Sequence, residues 1–300
     1  MKSKVVALLA LLALAAGGTL LDAFEVPDAA QQDVIVPMGD SGAVDWSNGF
    51  IYATGEGVAS DTITNKGQAR LMAKRAAVAD AQRNLLETTK GVQLSSETTV
   101  ENFMTTSDVI RTSVEGLVRG AQVVPDPKTG EECTYLSDGT VRVKLRVPLD
   151  GFGGLAEVLV PTDMGSKVEG DLEKKEDKEK EMEEKGKDVY SGLVINAIGL
   201  RLKPAISPKV VDESGNEVYG TGYVDRTYAV KNGVVGYGKD LEKAKANKRV
   251  AESPLVIDGK EPSGAAKTDV VISDEDAEQI RKLARDLSFM DKCRVMFIID

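Results

Sequence analysis

At 300 residues the chain is long enough for two cores of ordinary size, and its net charge of −10 argues against nucleic acid or an anionic membrane surface as an electrostatic partner. It contains no histidine and only two cysteines, Cys133 and Cys293. These absences exclude Ser-His-Asp and Cys-His catalysis, His-ligated zinc and a four-cysteine cluster, so neither enzyme chemistry nor a cofactor, metal or small-molecule substrate is expected.

At the start of the chain, Lys2 and Lys4 precede an apolar run from Val5 to Ala16. Small-residue cleavage sites follow at Ala13-Leu14-Ala15 and Leu21-Asp22-Ala23, so residues 1–23 read as a secretory signal peptide. The alternative is an uncleaved anchor, although the apolar run of about 17 residues falls short of the roughly 20 that a span requires. No lipobox cysteine follows the run. The expected location is therefore the periplasm or the outer membrane, without lipidation at such a cysteine and with at most peripheral membrane association. In that oxidising compartment Cys133 and Cys293 are a candidate disulfide, the alternative being two buried thiols.

Residues 24–45 read as an extended lead-in. Phe50 to Gly57 reads as a strand with glycines at its far end. The strongest helical segment runs from Asn65 to Glu87, with Asn65 as N-cap and Gly91 as the left-handed residue past its end. Leu71, Val78 and Leu85 recur every seven residues beside a stripe through Met72, Ala76 and Leu86, and these six form the face expected against a sheet. Alanines at 73, 76, 77, 79 and 81 imply a close partner. Arg75, Asp80, Arg83 and Asn84 are a candidate polar network holding helix to sheet, or a subunit contact in a ring.

Gly91 to Val100 alternates and reads as a returning strand, whereas Ser107 to Leu117 is ambiguous between helix and strand. Val118–Val124 and Thr140–Val147 read as antiparallel strands around a short middle strand with Cys133 and Tyr135. Alternation places Arg142, Lys144 and Arg146 on one face, expected to be solvated.

The pattern Ala69-x-x-x-Ala73-x-Arg75-Ala76-Ala77-x-x-Asp80-Ala81-x-Arg83-Asn84-Leu85 is followed by Gly91 to Thr99 and by Val118-Arg119-Gly120-Ala121. Over about residues 46–155 it resembles the Lpp-twenty family of bacterial envelope lipoproteins, and it is similar to the flagellar assembly proteins FlgT and FlgP. The resemblance implies a non-enzymatic envelope domain used for assembly or attachment, and brings no catalytic residues with it. The missing lipobox cysteine departs from the family's pattern.

Residues 167–188 are almost entirely charged and read as a spacer or linker, with Glu and Lys at i,i+4 permitting an exposed helix. Beyond it, Tyr190–Ala197 reads as a buried strand and Pro208–Tyr219 as a hairpin. Asp240–Ala251 reads as a helix, and Pro254–Asp258 and Thr268–Ile272 as strands. Ser273 caps a helix with acidic residues in its first turn, and Arg294–Ile299 closes the chain as a central strand. Gly151-Phe152-Gly153-Gly154 and Gly236-Tyr237-Gly238 lack phosphate-loop spacing and read as bends.

The expected fold is α+β in two domains. The first, 46–161, lays a long helix across a mostly antiparallel sheet; a linker, 162–188, leads to a smaller α+β domain, 189–300. The expected function is that of an exported, non-enzymatic structural or assembly protein of the cell envelope, with a flagellum-associated ring as the specific case. Self-association or envelope protein partners follow from that reading. The alternative is a binding module for peptidoglycan or another envelope protein. A carboxylate-pair hydrolase comes third, because no feature selects such a pair.

Overall fold

Strands β1 (Ile35–Met38) and β2 (Gly42–Asp45) pair antiparallel, and β3 (Phe50–Gly57) continues the sheet. The last part of the expected lead-in is therefore a hairpin. This is a computed structural model, and it describes residues 33–160, 169–184 and 189–300. The signal peptide assigned to 1–23 lies outside them, as do the rest of the lead-in and both ends of the expected linker. No helix among the described residues is long and apolar enough to cross a membrane.

Helix α1 (Lys66–Gly91) lies on this sheet, which is completed by β4 (Gln122–Val123), β5 (Thr134–Tyr135) and β6 (Val141–Pro148). Asn65 caps α1 as expected, its side-chain oxygen accepting from the amides of Gly67 and Gln68. Gly91, in contrast, is the last helical residue rather than a left-handed cap, and the chain leaves through an extended Val92.

The face of α1 differs from the expected one. The buried positions are Ala73, Ala77, Ala81, Leu85, Thr88 and Thr89. Leu71 is 62% exposed, Met72 44%, and Ala76 also faces out. Val78 and Leu86 are partly buried against the core, and only Leu85 of the expected six is fully enclosed. The reason lies in β3, whose inward positions include Gly55 and Gly57. A Cβ on either glycine would collide with the α1 backbone at Ala77 and Ala81 or at Ala73 and Ala77. Helix and strand thus meet along a seam of small residues, and the larger side chains at 71 and 72 fall outside it.

On the opposite face of the sheet, Lys144 Nζ sits 4.6 Å from the Tyr52 ring centroid and the Arg146 guanidinium 4.4 Å from that of Phe50. Arg142 bonds Glu56 at 2.7 Å. The expected solvated basic face is a half-buried ladder of cation–π and ionic pairs.

Residues 91–100 make one isolated bridge, Gln93 to Thr99, instead of a strand. The amides of Leu94 and Ser95 both donate to the Thr98 carbonyl, tightening the chain into a turn. Two helices follow, α2 (Val100–Met104) and α3 (Asp108–Arg119), so the ambiguous segment is helical and the strand expected from Val118 shrinks to β4. After α4 (Leu155–Leu159), the charged segment forms α5 (Glu169–Glu184). It is docked rather than a free spacer: Lys175 pairs with Asp291 at 2.7 Å, Lys292 with Glu176 at 2.9 Å, and Ser288 Oγ donates to Glu179 at 2.8 Å.

The remaining chain builds two four-stranded sheets. One holds β7 (Gly192–Asn196), β10 (Gly236–Gly238), β11 (Pro254–Asp258) and β14 (Val295–Ile298) in the order β10-β14-β7-β11, with every pairing parallel. Gly236–Gly238 is thus a strand and not a bend. Central β14 and β7 are enclosed on both faces and read as unbroken apolar runs. The other sheet joins β8 (Val210–Val211), β9 (Glu217–Tyr219), β12 (Glu261–Ser263) and β13 (Asp269–Val271). Helices α6 (Arg226–Asn232), α7 (Leu241–Lys245) and α8 (Asp274–Leu283) flank them, and the helix expected over 240–251 is only the short α7. Ser273 caps α8, accepting from the Asp276 amide. The fold is α+β with a long helix on an antiparallel sheet.

Candidate functional site: a cationic cleft around Asp150

The amino ends of β10 and β14 open on a cleft of about 600 Å³ lined by the β2–β3 turn, the end of β6, the end of α6 and the Lys248–Arg249 segment. Local chemistry builds each wall. Asp45 fixes the β2–β3 turn, accepting from the Asn48 amide at 2.9 Å and from its side chain, and Gly49 completes it at φ +69°. The Gly49 carbonyl accepts from the Leu149 amide at 2.8 Å, and the Gly151 amide donates to Val230 at 2.8 Å. Asp150 is held between those two bonds. A Cβ on Gly233 would stand 2.7 Å from Asp150 Oδ1, and one on Gly49 3.2 Å from Oδ2. Two glycines, both at positive φ, therefore leave the room that the carboxylate occupies.

Burial pushes the Asp150 carboxyl up to about 6, an effect that the nearby Arg249 charge partly offsets. Arg249 spends its donors on backbone: Nε on Cys293 O at 3.0 Å, Nη1 on Asn232 O and Nη2 on Gly233 O, each at 2.5 Å. Its charge is held in place by carbonyl dipoles and has no ion-pair partner among the described residues. Lys231, Lys248 and Arg294 also line the cleft without an ion pair among the described residues, whereas Lys292 is engaged by Glu176. Five cations thus face one acid, Asp150, in a chain whose net charge is −10. The arrangement can hold an anion. Its lining does not furnish the second carboxylate that glycoside hydrolysis uses.

The residues singled out from sequence lie elsewhere. Asp80, Arg83 and Asn84 do come together: Asn84 donates to Thr54 O at 2.8 Å, Asp80 accepts from the Glu56 amide at 3.1 Å, and Arg83 approaches Asp80 at 3.6 Å. This ties α1 to β3. Arg75 is exposed and takes no part in that set. Cys133 and Cys293 are both free and buried, so the candidate disulfide is not formed. Burial pushes the Cys293 thiol up to about 12. Among the described residues no group of three or more His, Cys, Asp or Glu side chains is arranged to hold a metal.

Lys231, Lys248, Arg249, Lys292 and Arg294 escaped sequence reasoning because they come from three separate segments of the chain. The legible signal was the Pro148-Leu149-Asp150-Gly151 turn directly after a strand, a position that commonly carries function.

No curated protein matches the chain. No relation to the Lpp-twenty family, FlgT or FlgP is shown. Residues 192–300, the part that holds the parallel sheet and all five cleft cations, are similar to a bacterial protein family described as Treponema pallidum Tp0624, second domain.

Proposed function

We propose that the chain is an exported, non-enzymatic envelope protein that works by binding, with the cleft around Asp150 as its recognition site for an anionic envelope polymer such as peptidoglycan. The supporting observation is the concentration of Lys231, Lys248, Arg249, Lys292 and Arg294 around one space on an otherwise acidic protein. Peptidoglycan carries free carboxylates on its stem peptides, and Lys231, Lys248 and Arg294, which have no ion pair among the described residues, are placed to pair with such groups. The test is co-sedimentation of the full chain with purified sacculi. Binding that falls at least tenfold in Lys231→Glu and Arg294→Glu, with unchanged melting, supports the reading. Equal pelleting of both variants sinks it.

A second reading is assembly into a ring or another oligomer, supported by the exposed Leu71 and Met72 on α1. Light scattering decides it: a monomer at all concentrations removes this reading and leaves the first standing.

A further inference from the structure

At the other end of the parallel sheet, outside the carboxyl ends of β10 and β14, lies a second cavity of about 490 Å³. Open parallel sheets commonly take ligands at this end, and the volume is within the usual range for small-molecule sites. Val36, Met38, Trp46, Leu202 and Ile299 contribute apolar wall. The polar groups of the lining are largely occupied. Gln93 Nε2 donates to Ser95 O at 2.6 Å and to Thr98 O at 3.2 Å. The Asp300 carboxylate accepts from the amides of Gly199 at 2.9 Å and Arg201 at 3.3 Å. What remains are the exposed side chains of Lys203 and Lys239, neither in an ion pair among the described residues, two cations against the single side-chain carboxylate of Asp300.

A largely apolar space lined by two exposed lysines without ion pairs matches one ligand chemistry, a hydrocarbon chain with an anionic head. A sugar or peptide would lose its hydrogen bonds to water against these walls without finding replacements. A neutral lipid would leave both ammonium groups unused. We propose that this cavity binds a single long-chain fatty carboxylate, its chain against Val36, Met38, Trp46, Leu202 and Ile299 and its head group at Lys203 and Lys239. The site is distinct from the Asp150 cleft and does not depend on the function proposed for it.

The probes are decanoate, dodecanoate and tetradecanoate below their micelle concentrations, titrated into the full chain and read by Trp46 fluorescence and by calorimetry. Each added methylene should tighten binding about fourfold, the equivalent of its transfer from water. Lys203→Glu with Lys239→Glu should weaken binding at least tenfold, and because both side chains are exposed their exchange should leave melting unchanged. Ala266→Phe, which adds bulk to the lining, should weaken every chain length alike. A trimethylammonium amphiphile of equal length should bind at least tenfold less tightly. Binding without chain-length dependence, equal affinity for the cationic amphiphile, or an unaffected double-lysine variant would each overturn the proposal. So would association with phosphatidylglycerol vesicles but not with the free acids, which would mark a membrane-facing surface instead of a cavity.

Discussion

Gly55 of β3 lies so close beneath Ala81 of α1 that a Cβ on the glycine would occupy the space of the Ala81 amide. The contact inverts the usual logic of an amphipathic helix, because the stripe that holds α1 is its smallest side chains. Ala81→Leu should therefore be overpacked and cost about 3 kcal/mol, whereas Leu71→Ser should stay within about 0.5 kcal/mol. Denaturant titration of both variants checks this. A well-folded Ala81→Leu protein of wild-type stability would show that the seam yields.

Asp150 gives a pH signature with a defined sign. Its folded carboxyl titrates at about 6 against an ordinary 3.8, so the folded state binds the proton more tightly than the unfolded chain. Its contribution is favourable in acid and is lost as pH rises from about 4 through 6. Asp150→Asn, which resembles the protonated form, should thus be more stable than wild type at pH 7.5, by on the order of 2 kcal/mol, with the gap closing below pH 4. Asp45, Asp269 and Asp291 are also raised by burial, so the difference between variant and wild type across pH is the quantity to measure. A constant difference would reject the assignment.

Helix α5 has few apolar side chains and depends on its ionic contacts. Asp291 is 5% exposed and its partner Lys175 18%, so Lys175→Ala leaves a carboxylate buried without its cation. A loss of about 3 kcal/mol is expected at pH 7, shrinking in acid as Asp291 takes up a proton. The exposed pair Lys178–Asp286 should contribute under about 0.5 kcal/mol when Lys178 is removed. Hydrogen exchange along α5 should accelerate in the first variant and remain as in wild type in the second.

The thiols supply a fourth expectation. Cys133 is 8% exposed and Cys293 is fully enclosed, so neither is presented to a reagent. Alkylation at pH 8 should modify Cys293 only after unfolding, and mass spectrometry without reductant should find two free thiols. A mass two hydrogen atoms lighter would show a bridge.

What sequence conveyed and what it withheld divides on a physical line. Strands β3, β6, β7, β11, β13 and β14 and the capped starts of α1 and α8 were legible, because alternation, apolar runs and an Asn or Ser cap act locally. The orientation of α1 was not legible from its own periodicity, since Leu71 and Val78 outweigh alanine on any hydrophobicity scale. The deciding feature was two glycines on another element, Gly55 and Gly57. The strand expected over 91–100 lost to a turn that satisfies its amides within five residues. The docking of α5 and the cleft around Asp150 depend on which charges meet across more than a hundred positions, as with Lys175 and Asp291. Local charge pattern carries no such information.

Trp46 is the only tryptophan in the chain, and it lines both cavities. It meets the Tyr237 ring edge-on at 5.5 Å, and Tyr237 in turn meets Phe297 edge-on at 6.0 Å, so a run of aromatic edges leads from Trp46 into the parallel sheet. One indole is thereby a native spectroscopic probe for two spaces at once. Whatever factor the filling of one side imposes on the affinity of the other must be returned unchanged in the reverse direction, since linkage between two equilibria is symmetric.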